Sequence, residues 1–201
     1  LNMHKKPVIA FVSSYPNAWW TGCEELWSHA ALRLASEGFS VKINSVRYND
    51  LPDVFRSLIR EHAAITYRKD HLSLLDRVMR RFLRIGKSYE KNWMRSQKPE
   101  LAVISEGDAY EGRRWMEACV SNNIPFVVIT QGATPWMFPH DSEVGCLRKL
   151  YQKARFCYFV SEENREVVRS QLALALSHAK VVRNPFRVPY DAACSWPGED
   201  K

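Results

Sequence analysis

The stretch at residues 7–25, PVIAFVSSYPNAWWTGCEE, decides the fold. Its first part, Pro7-Val8-Ile9-Ala10-Phe11-Val12-Ser13, is a short apolar run with the composition of a strand buried on both faces. A polar turn with Pro16, Asn17 and Gly22 follows. From about Cys23, the residues Leu26, Ala30, Leu34 and Ala35 recur at helical spacing. Strand, turn and helix in this order predict the start of an α/β domain, whose first helix N-terminus offers free N–H groups to a ligand.

The same alternation continues along the chain. Gly38 ends the first helix and residues 39–46 alternate as a second strand. A helix over 50–62 carries Val54, Leu58 and Ile59 on one face, and 64–67 reads as a short third strand. Residues 70–97 are the longest periodic stretch, with Leu72, Leu75, Met79, Phe82, Tyr89 and Trp93 in phase and a bend expected at Gly86. Strand-like runs at 101–105, 125–130, 156–160 and 180–182 then alternate with helices over 111–121, 142–153 and 162–176, the last capped by Ser161. This pattern predicts a parallel sheet covered on both faces by right-handed crossovers. The strands end in Ser13-Ser14, Glu106-Gly107-Asp108 and Gln131-Gly132, which should line one edge beside a cleft. Residues 1–187 read as the domain. Residues 188–201, with Pro189, Pro197 and Gly198, read as a linker.

Composition narrows the function classes. The chain has 201 residues, 46% apolar and 12% aromatic, enough for one well-packed core. Its five cysteines (Cys23, Cys119, Cys146, Cys157, Cys194) form no C-x-x-C pair, which suits a reducing cytoplasm rather than a disulfide framework or zinc site. No apolar run approaches the roughly 18 residues of a membrane span. The formal net charge of +7 is concentrated: residues 77–98 hold eight bases against the single acid Glu90, leaving the remainder close to neutral. The basic stretch, including Arg77, Arg80, Arg81, Arg84, Lys87 and Lys91, has three readings. It is a solvated face on a packing helix, a contact with an anionic membrane or a protein partner, or a nucleic-acid contact that no recognised motif supports.

The first turn reads Thr21-Gly22-Cys23-Glu24, not G-x-G-x-x-G, and no G-x-x-x-x-G-K-[ST] occurs, so dinucleotide and P-loop sites are disfavoured. Gly22 serves either a tight turn or close approach of a ligand. Trp19 and Trp20 either stack on a ligand in the cleft or cap the core. Glu106 and Asp108 are placed to accept hydrogen bonds from substrate hydroxyls or to act as a base; the alternative is turn and cap chemistry. No histidine pair has metal-ligand spacing and no G-x-S-x-G elbow is present, so neither a metal site nor a hydrolase triad is expected.

Taken together, these pieces resemble the N-terminal domain of a GT-B glycosyltransferase of the family 4 (group 1) type. The residues that carry the resemblance are the strand Val8-Ile9-Ala10-Phe11-Val12, Gly22-x-Glu24 with Leu26, and the run at residues 34–41. Later matches are residues 99–104, residues 124–132 ending in Gln131-Gly132, Val160-Ser161-Glu162-x-Asn164, and residues 179–186 ending in Asn184-Pro185-Phe186. The resemblance implies a Rossmann-like half of a two-domain enzyme. This half would hold a sugar or lipid-linked acceptor, and an absent C-terminal domain would bind the nucleotide-sugar through a Glu-x7-Glu element. It implies that Gly22 faces the donor and that Trp19, Trp20, Glu24, Glu106, Asp108, Gln131, Gly132 and Trp136 are the acceptor-side candidates. No cofactor is expected on this domain alone. Two departures stand out: Thr21 precedes Gly22 where paired glycines are usual, and Gln131 stands where many members carry histidine. Glutamine donates and accepts hydrogen bonds but cannot serve as a base.

Overall fold

The computed structural model describes residues 6–16, 19–68, 89–186, 188 and 191–193. Seven parallel strands form one sheet: β1 (Val8–Ser13), β2 (Ser40–Val46), β3 (Ala64–Arg68), β4 (Leu101–Asp108), β5 (Phe126–Gly132), β6 (Cys157–Phe159) and β7 (Ala179–Val181). Their spatial order is β3-β2-β1-β4-β5-β6-β7. Six described helices connect them: α1 (Gly22–Ser36), α2 (Asp53–Arg60), α3 (Tyr89–Gln97), α4 (Arg113–Ser121), α5 (Asp141–Lys153) and α6 (Glu162–Leu172). The architecture is a Rossmann-like α/β sheet with helices on both faces.

The alternation within each strand divides the core in two. Ile9, Phe11, Val41, Ile43, Val103, Val127 and Ile129 pack with α1 and α2 on one face. Ala10, Val12, Ala102, Ile104, Phe126 and Val128 pack with α3 to α6 on the other. The chain walks outward from β1 to β3, then returns to place β4 on the other side of β1, in register Ile9↔Leu101 and Ser13↔Ser105. That reversal creates a crevice at the carboxyl ends of β1 and β4, where ligands of open α/β sheets bind.

Three sequence expectations change. The buried stripe of α1 is Trp27, Ala31 and Ala35, with Glu24 and Ser28 in the same phase; Leu26 and Leu34 are only flanking, and Ala30 is exposed. Neighbouring helical stripes satisfy the same period. Trp27 is selected because it meets Phe11 at 6.2 Å between ring centroids, and the two alanines let the helix lie close to the sheet. On α2 the core residues are Phe55 and Leu58, while Ile59 is exposed. Helix α6 stops at Leu172, with Ala173 in the left-handed region, so Leu174 and Leu176 are buried by a loop. The first part of the 70–97 stretch, with Gly86, Arg77, Arg80, Arg81, Arg84 and Lys87, lies outside the described residues, as does most of the 188–201 tail. Lys91 is exposed on α3. No described helix is long and apolar enough to cross a membrane.

Candidate functional site at the carboxyl edge

The crevice begins where β1 ends. Ser14 fastens β1 to β4 through its N–H and hydroxyl, both donating to the Ser105 carbonyl at 2.8 and 3.0 Å. Tyr15 then lies across Gly107: a Cβ on Gly107 would sit 2.2 Å from the Tyr15 ring, so only glycine fits there. Arg68, at the end of β3, donates to the Tyr15 carbonyl at 3.1 Å and to Asn44, drawing the first turn against the sheet.

The N-terminus of α1 is closed by its own side chains. Thr21 is the N-cap, and its hydroxyl accepts from the Cys23 N–H at 3.3 Å. Glu24, fully buried, accepts from the Thr21 N–H at 3.0 Å, the Thr21 hydroxyl at 2.7 Å and the Ser13 hydroxyl at 3.3 Å. This is a capping box. Burial raises the Glu24 pKa, and the Thr21 and Ser13 donors oppose the shift. Gly22 is exposed; a Cβ there would meet only Asn184 Nδ2, at 3.8 Å, so packing within the chain does not require glycine.

Glu106 does not face the crevice. It shares strand parity with Ala102 and Ile104, which points it beneath the sheet toward α4 and α5. There it is fully buried and accepts from the Gly112 N–H (2.9 Å), the Thr130 hydroxyl (3.0 Å) and the Tyr151 hydroxyl (2.7 Å). Burial pushes its pKa up to about 7, against the pull of those three donors. Its place is therefore that of an internal anchor for the start of α4, and not of a group open to ligand. Asp108 and Gly132 pair across β4 and β5 at the edge, both half-buried. An added Cβ on Gly132 would lie 2.9 Å from Asp108 Oδ1.

Gln131 has the opposite parity and points toward α1. Its Nε2 donates to the Cys23 carbonyl at 3.4 Å, its Oε1 accepts from Asn184 Nδ2 at 2.9 Å, and its main-chain oxygen accepts from Asn164 Nδ2 at 2.9 Å. One glutamine thus ties together the starts of α1 and α6 and the segment after β7. Trp20 is half-buried and packs against the core of the α1 face. Its ring packs 5.0 Å from Tyr48, 5.7 Å from Phe55 and 6.3 Å from Trp27, and its Nε1–H donates to Glu25 at 2.9 Å. Trp19 (59%) and Trp136 (78%) are exposed.

Four residues that sequence reasoning did not single out for this edge also belong to it. Glu111 accepts from the Asp108 N–H at 3.1 Å, and desolvation, together with the Asp108 charge, lifts its pKa. Tyr110 adopts a left-handed φ of 78°, strained for a bulky side chain, and is held by its hydroxyl donating to Gln171 at 2.7 Å. Asn184 keeps a buried Oδ1 without a partner among the described residues. Arg68 is the fourth. Of the four, Asn184 carried a sequence signal, as part of the Asn184-Pro185-Phe186 run in the family resemblance. Among the described residues no three His, Cys, Asp or Glu side chains gather as a metal site would require.

Against solved structures, a glycosyltransferase from Rickettsia africae superposes with a TM-score of 0.63 at 14% identity, over 90% of this chain and 43% of that one. HepE from Anabaena, solved in complex with UDP, gives 0.56 at 13% identity, over 89% and 44%. The chain folds like one half of a GT-B glycosyltransferase. The UDP-GlcNAc 2-epimerase from Neisseria meningitidis, solved bound to UDP-GlcNAc, is also similar, at 0.51 and 16% identity over 89% and 47%. The chain spans less than half the length of each of these three. No protein-family model matches it, and no curated protein matches its sequence.

Proposed function

We propose that the chain is the acceptor-side domain of a glycosyltransferase of the family 4 type, which moves a sugar from a nucleotide donor to a hydroxyl acceptor in glycan or glycolipid synthesis. A second domain of the same protein holds most of the donor in this reading. The observation that carries it is the closed first turn, set on a fold shared with sugar-nucleotide enzymes. The Cys23 and Glu24 N–H groups of α1 are already taken by Thr21, and the buried Glu24 carboxylate takes the Thr21 N–H, so the start of the helix offers fewer free donors to a diphosphate than a Rossmann dinucleotide site does. The same feature argues against a nicotinamide-dependent enzyme.

Within this reading, Gly22 leaves backbone room for a donor held from across the cleft. Asp108, Glu111, Gln131 and Gly132 border the acceptor, with Gln131 serving as a fixed hydrogen-bonding wall and not as a base. Glu24 and Glu106 act from behind, by holding the starts of α1 and α4. Rate enhancement would come from positioning and from electrostatic stabilisation of the leaving diphosphate.

The test is calorimetric titration of UDP-glucose and UDP-N-acetylglucosamine into the 201-residue chain and into the protein of the complete reading frame. The chain alone should bind more weakly than about 1 mM and the complete protein in the micromolar range. Micromolar binding by the chain alone would overturn the division of labour.

A second reading is a non-catalytic module that docks on an anionic membrane or protein partner through the basic stretch. The enclosed Glu106 favours it, because its burial removes a candidate base from the crevice. Sugar transfer by the complete protein would eliminate it.

A further inference from the structure

The turn that carries Trp136 is tied to the acidic corner after β4. Residues 134–137 close a β-turn, the Met137 N–H donating to the Thr134 carbonyl at 3.3 Å, with Pro135 and Trp136 at its two central positions. Proline stiffens that backbone, and the His140 imidazole closes the far end of the loop by accepting from the Ser142 N–H at 3.3 Å. A rigid support thus displays Trp136 to solvent, with Met137 and Phe138 exposed beside it. The link to the corner runs through Gln171 of α6. Its Nε2 donates to the same Thr134 carbonyl at 3.0 Å, and its Oε1 accepts from the Tyr110 hydroxyl at 2.7 Å. A second tie is the Ala109 N–H, donating to the Gly132 carbonyl at 2.8 Å.

Asp108 and Glu111 are the acids of that corner. The Asp108 N–H donates to Glu111 Oε2 at 3.1 Å, and Asp108 Oδ1 lies against Gly132, where the Trp136 loop leaves β5. Among the described residues no donor reaches the Asp108 carboxylate. A flat indole beside carboxylate acceptors is the mixture of aromatic surface and a few polar groups that suits a small polar ligand. A pyranose ring matches both parts. Its axial C–H bonds give it an apolar face that stacks on an indole, and its hydroxyls donate to carboxylates, which only accept. An anionic ligand would be repelled by the two acids. An apolar protein partner would have to bury both carboxylates without donors.

We propose that Trp136 and the Asp108–Glu111 corner form a subsite for a neutral saccharide, the indole taking the C–H face of a pyranose ring and the carboxylates accepting from its hydroxyls. That this saccharide is the acceptor rests on the transferase reading; its binding does not.

The test is titration of the protein of the complete reading frame with methyl β-glucoside, methyl α-mannoside and methyl β-N-acetylglucosaminide, followed by saturation-transfer NMR. At least one glycoside should bind in the millimolar range, with saturation concentrated on the C–H protons of one ring face. Trp136→Leu keeps an apolar side chain but no flat face, and should weaken that binding at least about tenfold, while Trp136→Phe should stay within about threefold of wild type. Asp108→Ala should weaken it about tenfold. All three variants should keep the wild-type thermal midpoint. Absence of binding by all three glycosides would overturn the proposal. So would wild-type affinity in Trp136→Leu, which would make the loop a general apolar contact, or wild-type affinity in Asp108→Ala, which would leave the acids out of the subsite. Sugar transfer tests the other reading separately. Glycoside binding without transfer would keep the subsite and remove the transferase; transfer with an acceptor KM unchanged in Trp136→Leu would do the reverse.

Discussion

Replacing Glu106 with alanine is expected to lower stability by about 4 kcal/mol, seen as a fall of roughly 12 °C in the thermal midpoint for a chain of this size. The carboxylate collects three donors in a space without solvent: the Gly112 N–H, the Thr130 hydroxyl and the Tyr151 hydroxyl. Alanine strands all three, and each buried unsatisfied donor costs about 1–3 kcal/mol. The Gly112 bond also holds the first turn of α4, so the loss should reach residues 108–112 at the crevice. A cost below about 1 kcal/mol would mean that the three donors find other partners and that Glu106 anchors nothing.

The same residue gives a pH signature of defined sign. Its folded-state pKa of about 7 lies above the ordinary 4.5, so the folded chain holds a proton that the unfolded chain releases. This group's contribution is most favourable below about pH 4.5 and is lost as pH rises toward 7, after which it levels off. The span is about 3 kcal/mol. Glu24 and Glu111 shift in the same direction, so the informative quantity is the difference between wild type and Glu106→Gln. Glutamine keeps the volume and an acceptor for Gly112 but does not titrate. The wild-type stability curve should therefore fall more steeply than the variant's between about pH 4.5 and pH 7. Parallel curves would contradict the raised pKa.

The second large effect is steric. An alanine at Gly112 would place its Cβ 2.7 Å from Ile104 Cγ2 and 2.8 Å from Glu106 Oε1, and both neighbours are fully buried with nowhere to move. Overpacking of this kind costs about 3 kcal/mol, or roughly 8 °C. Gly22→Ala is the contrast: its nearest neighbour would be 3.8 Å away, and folding should change by under about 0.5 kcal/mol. If both variants unfold together, Gly22 has an internal role that its surroundings do not suggest. If Gly112→Ala is neutral, the contact with Glu106 is loose.

The fold was legible in the sequence because burial on both faces forces near-continuous apolar strands, and the glycine and polar residues that end them mark one edge. Edge residues were harder. Strand parity alone sends Glu106 down with Ile104 and turns Gln131 toward α1, a two-residue count that the motif view overlooks. Trp20 could not be assigned locally, since the Tyr48, Phe55 and Trp27 rings it packs against come from separate segments. The α1 stripe shifted by one residue for the same reason: the sheet, not the helix, decides which of two equivalent faces is covered. The exposed run at 136–138 was visible as residue types, but its outward presentation depends on the Gln171 and His140 anchors.

The central claim is that the carboxyl edge between β1, β4 and β5 faces the sugar-nucleotide chemistry. Amide hydrogen exchange on the protein of the complete reading frame, with and without UDP-N-acetylglucosamine and UDP-glucose, tests it most directly. The account predicts added protection at residues 13–16, 21–25, 107–112 and 131–133, with none at the opposite edge around residues 38–40 and 122–125. Protection confined to that opposite edge, or no change at residues 21–25 and 131–133 while the ligand is bound, would contradict it.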